Sequence, residues 1–465
     1  MLTVRISAYK NILIKARTLF LFNKKNYYFN FLKIAWPAAV EAVLVGLVGS
    51  INTIMVGGLG AGAIAAVGIT NQPRFILLAI MFSLDIGITA IISRRKGEND
   101  RYAANRFFRQ ALVISIFIAV VMSVVGFLFS REILSFAGAT SDYIDDATTY
   151  FNILMISIFL SSVNLAVNAA QRGSGNTYIS MKTNIISNII NLIFNYLLIN
   201  GAFGFPRLGI AGSAVATAIG YFVACCISFY TLLKRDSFLS LRFKAPWRFE
   251  KTTLKNLANV SGSAMVEQVF SRIGFLIYAI IVAKLGTIAY ATHQICMNII
   301  NLSFCFGDGI GIAAATLVGQ SLGAKKPQRA VLYGKIGQRI AFLISTVLFF
   351  LFIFGKVYLV SLFSSDIEII KLGSIVIVTI ALCTHAQTSQ IIINGCLRGA
   401  GDTRYVAFTS LISIAIVRPI LTFVLCIPLK YGLIGAWVAL AIDQYMRLII
   451  AYIRFKNSKW LILKL

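Results

Sequence analysis

Long apolar runs separated by short polar segments dominate the chain. Ala111 to Ser130 carries no charge, and neither does Leu208 to Leu233. Apolar runs of about 18 residues or more are long enough to cross a bilayer as helix. Their spacing predicts twelve spans, at 33–55, 68–92, 108–130, 150–169, 179–200, 209–233, 257–282, 292–318, 337–355, 372–394, 405–427 and 432–453. The predicted fold class is an all-α polytopic membrane protein with twelve transmembrane helices.

Polar landmarks recur along this pattern at one fixed distance. QRGSGNT at 171–177 returns as LRGAGDT at 397–403, so Arg172 maps to Arg398 across 226 residues. The same shift carries Glu41 to Glu267, Leu59-Gly60 to Leu285-Gly286, Gly97 to Gly323 and Ala104 to Ala330. Further on it shortens to 223, where Gly209 and Gly212 map to Gly432 and Gly435. Register kept this long marks an internal duplication. Each copy holds six spans, an even number, so both enter the membrane in the same direction. Two parallel six-helix repeats are a common transporter plan. Arg-Gly-x-Gly-polar-Thr is then one cytoplasmic turn used twice, between spans 4 and 5 and between spans 10 and 11. The expected organisation is an N-terminal segment at 1–32, a bundle at 33–233, a linker at 234–256, a second bundle at 257–455 and a tail at 456–465. The linker is long and basic. It suits a cytoplasmic strap that lets two bundles rock about a central cavity.

Composition narrows the picture. The 465 residues are 58% hydrophobic and only 13% charged, far from a soluble protein. A net charge of +27 raises nucleic acid as a partner, and its distribution removes it. The termini and the even-numbered connections hold 33 Lys and Arg, whereas the odd-numbered connections hold 6. That asymmetry places both termini in the cytoplasm and turns the basic surface towards anionic lipid. Residues 1–32 are basic and aromatic, without a small-residue cleavage site after an apolar core, so an interfacial segment is expected rather than a signal peptide. The seven cysteines fall in or beside spans, none makes a CxxC, and they suit packing. The sequence has no Walker A motif, no HExxH and no Cys/His cluster. Neither an enzyme nor a cofactor is expected, and an ion gradient is the natural energy source.

Ionisable groups inside spans are costly and face a cavity or a partner. The candidates are Glu41, Arg74, Asp85, Glu267, Arg272, Asp308, Arg418, Asp443 and Arg447. Asp443 and Arg447 are four apart on one helix face and suit a structural ion pair. Arg74 and Asp85 lie towards opposite ends of span 2, where snorkelling or loop contact is open to both. Asp308 sits in FGDGIG, whose glycines permit helix distortion. Glu41 and Glu267 occupy equivalent places on the first span of each repeat. Two readings stand for them: exchange of a proton or attraction of sodium or a cationic substrate, and capping or positioning near a helix end. Asn184, Asn188, Asn191 and Asn195 line one face of span 5. Gluing helices and lining a wet path both suit such a ladder. Glu41 and Asn52, eleven apart on span 1, share a face that can meet it.

Several segments together resemble the MATE (multidrug and toxic compound extrusion) family. They are WPAAVE and SINTIMVGGLG in span 1, AKLGTIAYATHQ after span 7, LVGQSLGA at 317–324, LRGAGDT at 397–403 and VRP at 417–419. The resemblance covers 33–455. It implies a V-shaped antiporter that expels cationic or amphipathic compounds as Na⁺ or H⁺ enters, with sodium ligands unknown. It also implies site positions. Asn52 stands where many bacterial members carry Asp, Asn195 where Asp is frequent, and Gln387 where many have an acid. Asn191 and Thr217 match the family pattern. Glu267 fits one common place for the acid of span 7, and Ser271 takes another, a turn later. The N-terminal site thus lacks two family charges, leaving Glu267 and Glu41 as the main ion carriers.

The expected function is secondary active efflux of small organic cations or amphiphiles across the plasma membrane, in exchange for H⁺ or Na⁺. A monomer in the lipid bilayer is expected. The alternative is a flippase for lipid-linked saccharides, for which Arg74, Arg272 and Arg418 would supply a cationic cavity. A receptor or channel is the third class. It lacks a large soluble sensor domain and gains nothing from duplicated rocking halves.

Overall fold

The computed structural model describes residues 2–234, 237–241 and 250–463, without the side chains of 2–24, 50, 53, 61 and 64. The rest of the linker, and most side chains of the N-terminal segment, lie outside the described residues. Among the described residues twelve long helices follow one another: α1 Leu2–Gly57, α2 Ala61–Gly97, α3 Arg101–Leu128, α4 Ile144–Ser174, α5 Thr177–Asn200, α6 Gly209–Leu233, α7 Lys251–Ala283, α8 Thr287–Gly323, α9 Pro327–Ser361, α10 Ile367–Gly399, α11 Thr403–Cys426 and α12 Gly432–Lys456. Eleven are long and apolar enough to cross a membrane. The other, α5, is 24 residues long, and its asparagines dilute its hydropathy.

The helices form two compact units, Val43–Ser261 and Met1–Ala42 with Gly262–Leu465. In the first, α4 is the central helix and packs against α2, α3 and α6, while α5 packs on α6. Its core is built on Ile88, Ile92, Phe108, Phe151 and Met155. In the second, α10 is central and packs against α8, α9 and α12. Phe31, early in α1, is fully buried in this unit with Ile336, Ile392 and Leu397. The central helices α4 and α10 are repeat equivalents.

The duplication extends to the backbone. Gly175 and Gly401 both adopt left-handed φ, 91° and 87°. Each closes its helix with the same pair of bonds, Gly175 N to Arg172 O and Asn176 N to Gln171 O, then Gly401 N to Arg398 O and Asp402 N to Leu397 O. This is a Schellman stop, which glycine enters without a Cβ penalty. The first glycine of the motif does a different job. A Cβ on Gly173 would lie 2.8 Å from Thr89 O, and one on Gly399 would collide with Ala315 O. Thr89 and Ala315 are themselves 226 residues apart. The glycines around Asp308 do not distort α8, which is continuous. Gly307 and Gly311 meet Ile391, and Gly309 meets the backbone of Ala39.

In the first unit, part of the linker is clamped to the start of α3. Arg101 donates to Ser237 O at 2.5 Å and to Phe238 O at 3.2 Å. Asn105 donates to Phe238 O at 3.0 Å and accepts from Ser240 N at 2.7 Å. All seven cysteines are free thiols; Cys226 is exposed and Cys305 half-buried, and the other five are buried.

Candidate functional site

Asparagine is a poor lipid-facing residue, so the ladder on α5 must find partners inside the protein. In the first unit Asn52 donates to Asn191 Oδ1 at 3.0 Å and accepts from Asn195 Nδ2 at 2.8 Å. Asn195 also donates to Asn191 Oδ1 at 3.3 Å, and Asn191 donates to Thr217 Oγ1 at 3.2 Å. Four side chains from α1, α5 and α6 thus close into one network of neutral groups. The amide can do this because it both donates and accepts. Nearer the other end of α5, Asn184 accepts from Asn164 at 3.4 Å, which ties α5 to α4. Asn52 therefore meets the ladder, whereas Glu41, buried, belongs to the second unit.

Arg74 and Asp85 both engage neighbouring helices. Arg74 donates to the Tyr221 hydroxyl at 2.6 Å. Asp85 faces Arg172 at 3.5 Å.

In the second unit the motif arginine again meets a carboxylate, but a different one. Arg398 donates to Glu267 Oε1, which Ser410 approaches at 3.5 Å. The other oxygen, Oε2, is buried without a hydrogen-bond partner among the described residues. Asp308 lies at the surface of the unit, within electrostatic reach of Arg398. Ser271 is half-buried one turn beyond Glu267. Gln387 is fully buried, and both its amide atoms lack hydrogen-bond partners among the described residues.

Deeper in that unit, Asp443 has no exposure and is held from three sides. Arg447 donates to Oδ2 at 3.1 Å, Arg418 donates through Nε at 3.1 Å and through a second nitrogen, and Ser413 donates to Oδ1. The Arg418 guanidinium lies 4.5 Å from the Phe275 ring centroid. Arg418 is thus consumed inside the unit. Its placement follows from a local break in α11, a π-helical stretch at Leu411–Val417 just before Pro419. Proline gives no N–H to the carbonyl four residues earlier. The ladder shifts, and Arg418 N donates to Ser413 O, five residues back. Residues five apart point to different sides of an α-helix. The wider turn sets Ser413 and Arg418 over one carboxylate.

Sequence reasoning treated Arg172 and Arg398 as parts of a turn and missed their partners. The clue was available: each is the first basic residue of an otherwise short repeated connection. Tyr221 and Ser413 carried no comparable mark.

The comparisons with known proteins follow the same repeat. A family model described as MatE matches residues 37–197 and again 263–424. The second match begins 226 residues after the first, the shift read from the turns. The chain is 28% identical over 430 residues to a probable multidrug resistance protein NorM of Thermotoga maritima, covering 92% of each chain. It is 26% identical over 439 residues to an uncharacterized transporter, YisQ, of Bacillus subtilis, covering 93% of this chain and 95% of that one. Among solved structures it is similar to an outward-facing multidrug resistance MATE family transporter of the MOP superfamily. The TM-score is 0.88 at 18% identity, over 93% of this chain and 96% of that chain, a likeness of fold. A single family model matched twice, over most of both repeats, settles membership: the chain belongs to the MATE family of multi-pass membrane transporters.

Proposed function

We propose that the protein is a secondary active efflux transporter of the plasma membrane, both termini cytoplasmic. It expels organic cations and other amphipathic compounds in exchange for protons. Family membership and the multidrug resistance relatives support the efflux role. The observation that carries the coupling is the environment of Glu267. One carboxylate oxygen is taken by Arg398, and the other is buried with no hydrogen-bond partner among the described residues. A proton needs a single oxygen, and Oε2 offers one. Sodium needs a shell of several oxygens, and here an arginine already holds one side of the carboxylate.

Protonation of Glu267 removes the counter-charge of Arg398. A half-buried cation left without its counter-charge is costly, so Arg398 turns to the next acid within its reach, Asp308. Glu267, Arg398 and Asp308 lie on α7, α10 and α8 of one unit. The arginine is then a two-position element biased by one proton, as a coupling step requires. The neutral network of Asn52, Asn191, Asn195 and Thr217 holds helices together and supplies polar lining. It carries no ionisable group.

The test is ethidium efflux by purified protein in liposomes, under an imposed proton gradient and then a sodium gradient. The proton gradient is expected to drive efflux, and Glu267→Gln to abolish it while the variant still inserts and binds ethidium. Equal proton-driven efflux by variant and wild type would sink the assignment. Efflux driven by sodium alone would transfer the coupling to that ion.

A further inference from the structure

In the first unit, Arg74 of α2 has no acid at salt-bridge distance among the described residues. Arg74 is the thirteenth residue after the start of α2, about 20 Å along the axis at ~1.5 Å per residue. It lies still further from the other end of the helix. The carboxylates of known pairing each face an arginine: Asp85 faces Arg172, Glu267 faces Arg398, and Asp443 faces Arg418 and Arg447. Arg74 has only the Tyr221 hydroxyl as a hydrogen-bond partner among the described residues, with Tyr150 within electrostatic reach. A tyrosine hydroxyl accepts one of the five guanidinium N–H bonds. Arg74 as a whole residue is half-buried.

A guanidinium opening onto hydrocarbon is heavily penalised, so such groups face water or a partner. Its surroundings are otherwise neutral and polar. Tyr221 and Thr217 lie four apart on one face of α6, and Ser213 precedes Thr217 by another four. Thr217 donates to Ser213 O at 2.9 Å and accepts from Asn191, joining this stripe to the amide network. In total the site offers one fixed positive charge beside uncharged hydrogen-bonding groups, with no acid among those named.

We propose that Arg74 forms an anion-recognition site that receives the acidic group of an amphiphile, a sulfonate, carboxylate or phosphate. Guanidinium pairs with such groups through two parallel N–H bonds. This inference rests on the efflux reading and adds a second substrate class to it, amphiphiles bearing an acid. The acid can belong to a soluble compound or to a lipid headgroup.

The test is equilibrium binding to the full chain in phosphatidylcholine nanodiscs, with radiolabelled taurocholate as anionic probe and tetraphenylphosphonium as cationic probe. Wild type is expected to bind taurocholate. Arg74→Gln is expected to weaken it tenfold or more and to leave tetraphenylphosphonium unchanged. Arg74→Lys should keep most taurocholate binding. If phosphatidylglycerol in the nanodisc competes with taurocholate, the site takes a lipid headgroup; without competition it takes the soluble anion. Absence of taurocholate binding by wild type overturns the proposal, as does binding by Arg74→Gln within twofold of wild type. If Arg74→Gln loses both probes it has misfolded, and Arg74→Lys decides. Retained taurocholate binding then supports the site, and loss with cation binding intact overturns it. No ion gradient enters these measurements, so their failure leaves proton-coupled efflux standing, and failure of coupling leaves them interpretable.

Discussion

Asp443 shows how much one buried charge can hold. Its carboxylate is shared by Arg418 and Arg447, and neither arginine has another acid at salt-bridge distance among the described residues. Removing one partner from a buried pair is costly because the remaining charge stays desolvated. Asp443→Asn is therefore expected to destabilise the protein by ~3–5 kcal/mol. Arg447→Met should cost much less, because Arg418 still satisfies the acid. Thermal unfolding in detergent, compared between the two variants, checks this; equal midpoints would show that Arg447 matters as much as Asp443. Asn52 gives the opposite case, a site with no charge to lose. Asn52→Asp introduces the first ionisable group into the amide network and removes the donor to Asn191. The pH profile of efflux should gain a limb absent from wild type. An unchanged profile would mean that the network lies off the transport path.

At the scale of elements, the two glycines of the Arg-Gly-x-Gly turn have separable roles. Gly399 lets α10 approach the backbone of α8 at Ala315, and Gly173 lets α4 approach α2 at Thr89. A methyl group at either place meets backbone, which cannot rotate aside. Gly399→Ala and Gly173→Ala should each cost ~1–3 kcal/mol through overpacking. Gly401→Ala acts through the φ of 87° instead and should cost ~1–2 kcal/mol. Unfolding midpoints of the three variants test this, and a neutral Gly399→Ala would show that α8 and α10 can slide apart freely. The π-helical turn of α11 is a second such device. Gly274 of α7 allows close approach to Ile414 O inside that turn, so the break is packed as well as bonded.

At the scale of the molecule, the repeat kept its scaffold and moved its chemistry. Arg172 and Arg398 are equivalent, yet their acids are not. Asp85 corresponds to Gly311, and Glu267 corresponds to Glu41. Parallel repeats require equivalent turns to lie on the same side of the membrane. In a cysteine-free background, Asn99→Cys and Lys325→Cys should resist a membrane-impermeant maleimide added outside intact cells. Ser141→Cys and Ser365→Cys should react with it. Labelling of Asn99→Cys and Lys325→Cys from opposite sides would refute the parallel arrangement. Labelling of both from outside would invert the orientation read from the charge asymmetry.

The number of long helices, the duplication and the expected sidedness were legible in the sequence because each is a property of contiguous residues. Apolar length sets a span, loop charge biases its direction, and a repeated turn keeps its spacing even where neighbouring residues diverge. The asparagine face of α5 and the Asp443–Arg447 spacing were legible for the same reason, since helical periodicity fixes which residues share a side. Periodicity does not say what that side meets. The choice of Glu267 by Arg398, of Asp85 by Arg172 and of Tyr221 by Arg74 joins residues more than 80 positions apart. Each choice depends on how closely two helices approach and how each is rotated about its axis. Glycine contacts and the proline-induced turn of α11 set those quantities. The division of α1 between two units is of the same kind. A single unbroken helix carries no local mark of which bundle each of its turns will pack against, and only the packing decided it.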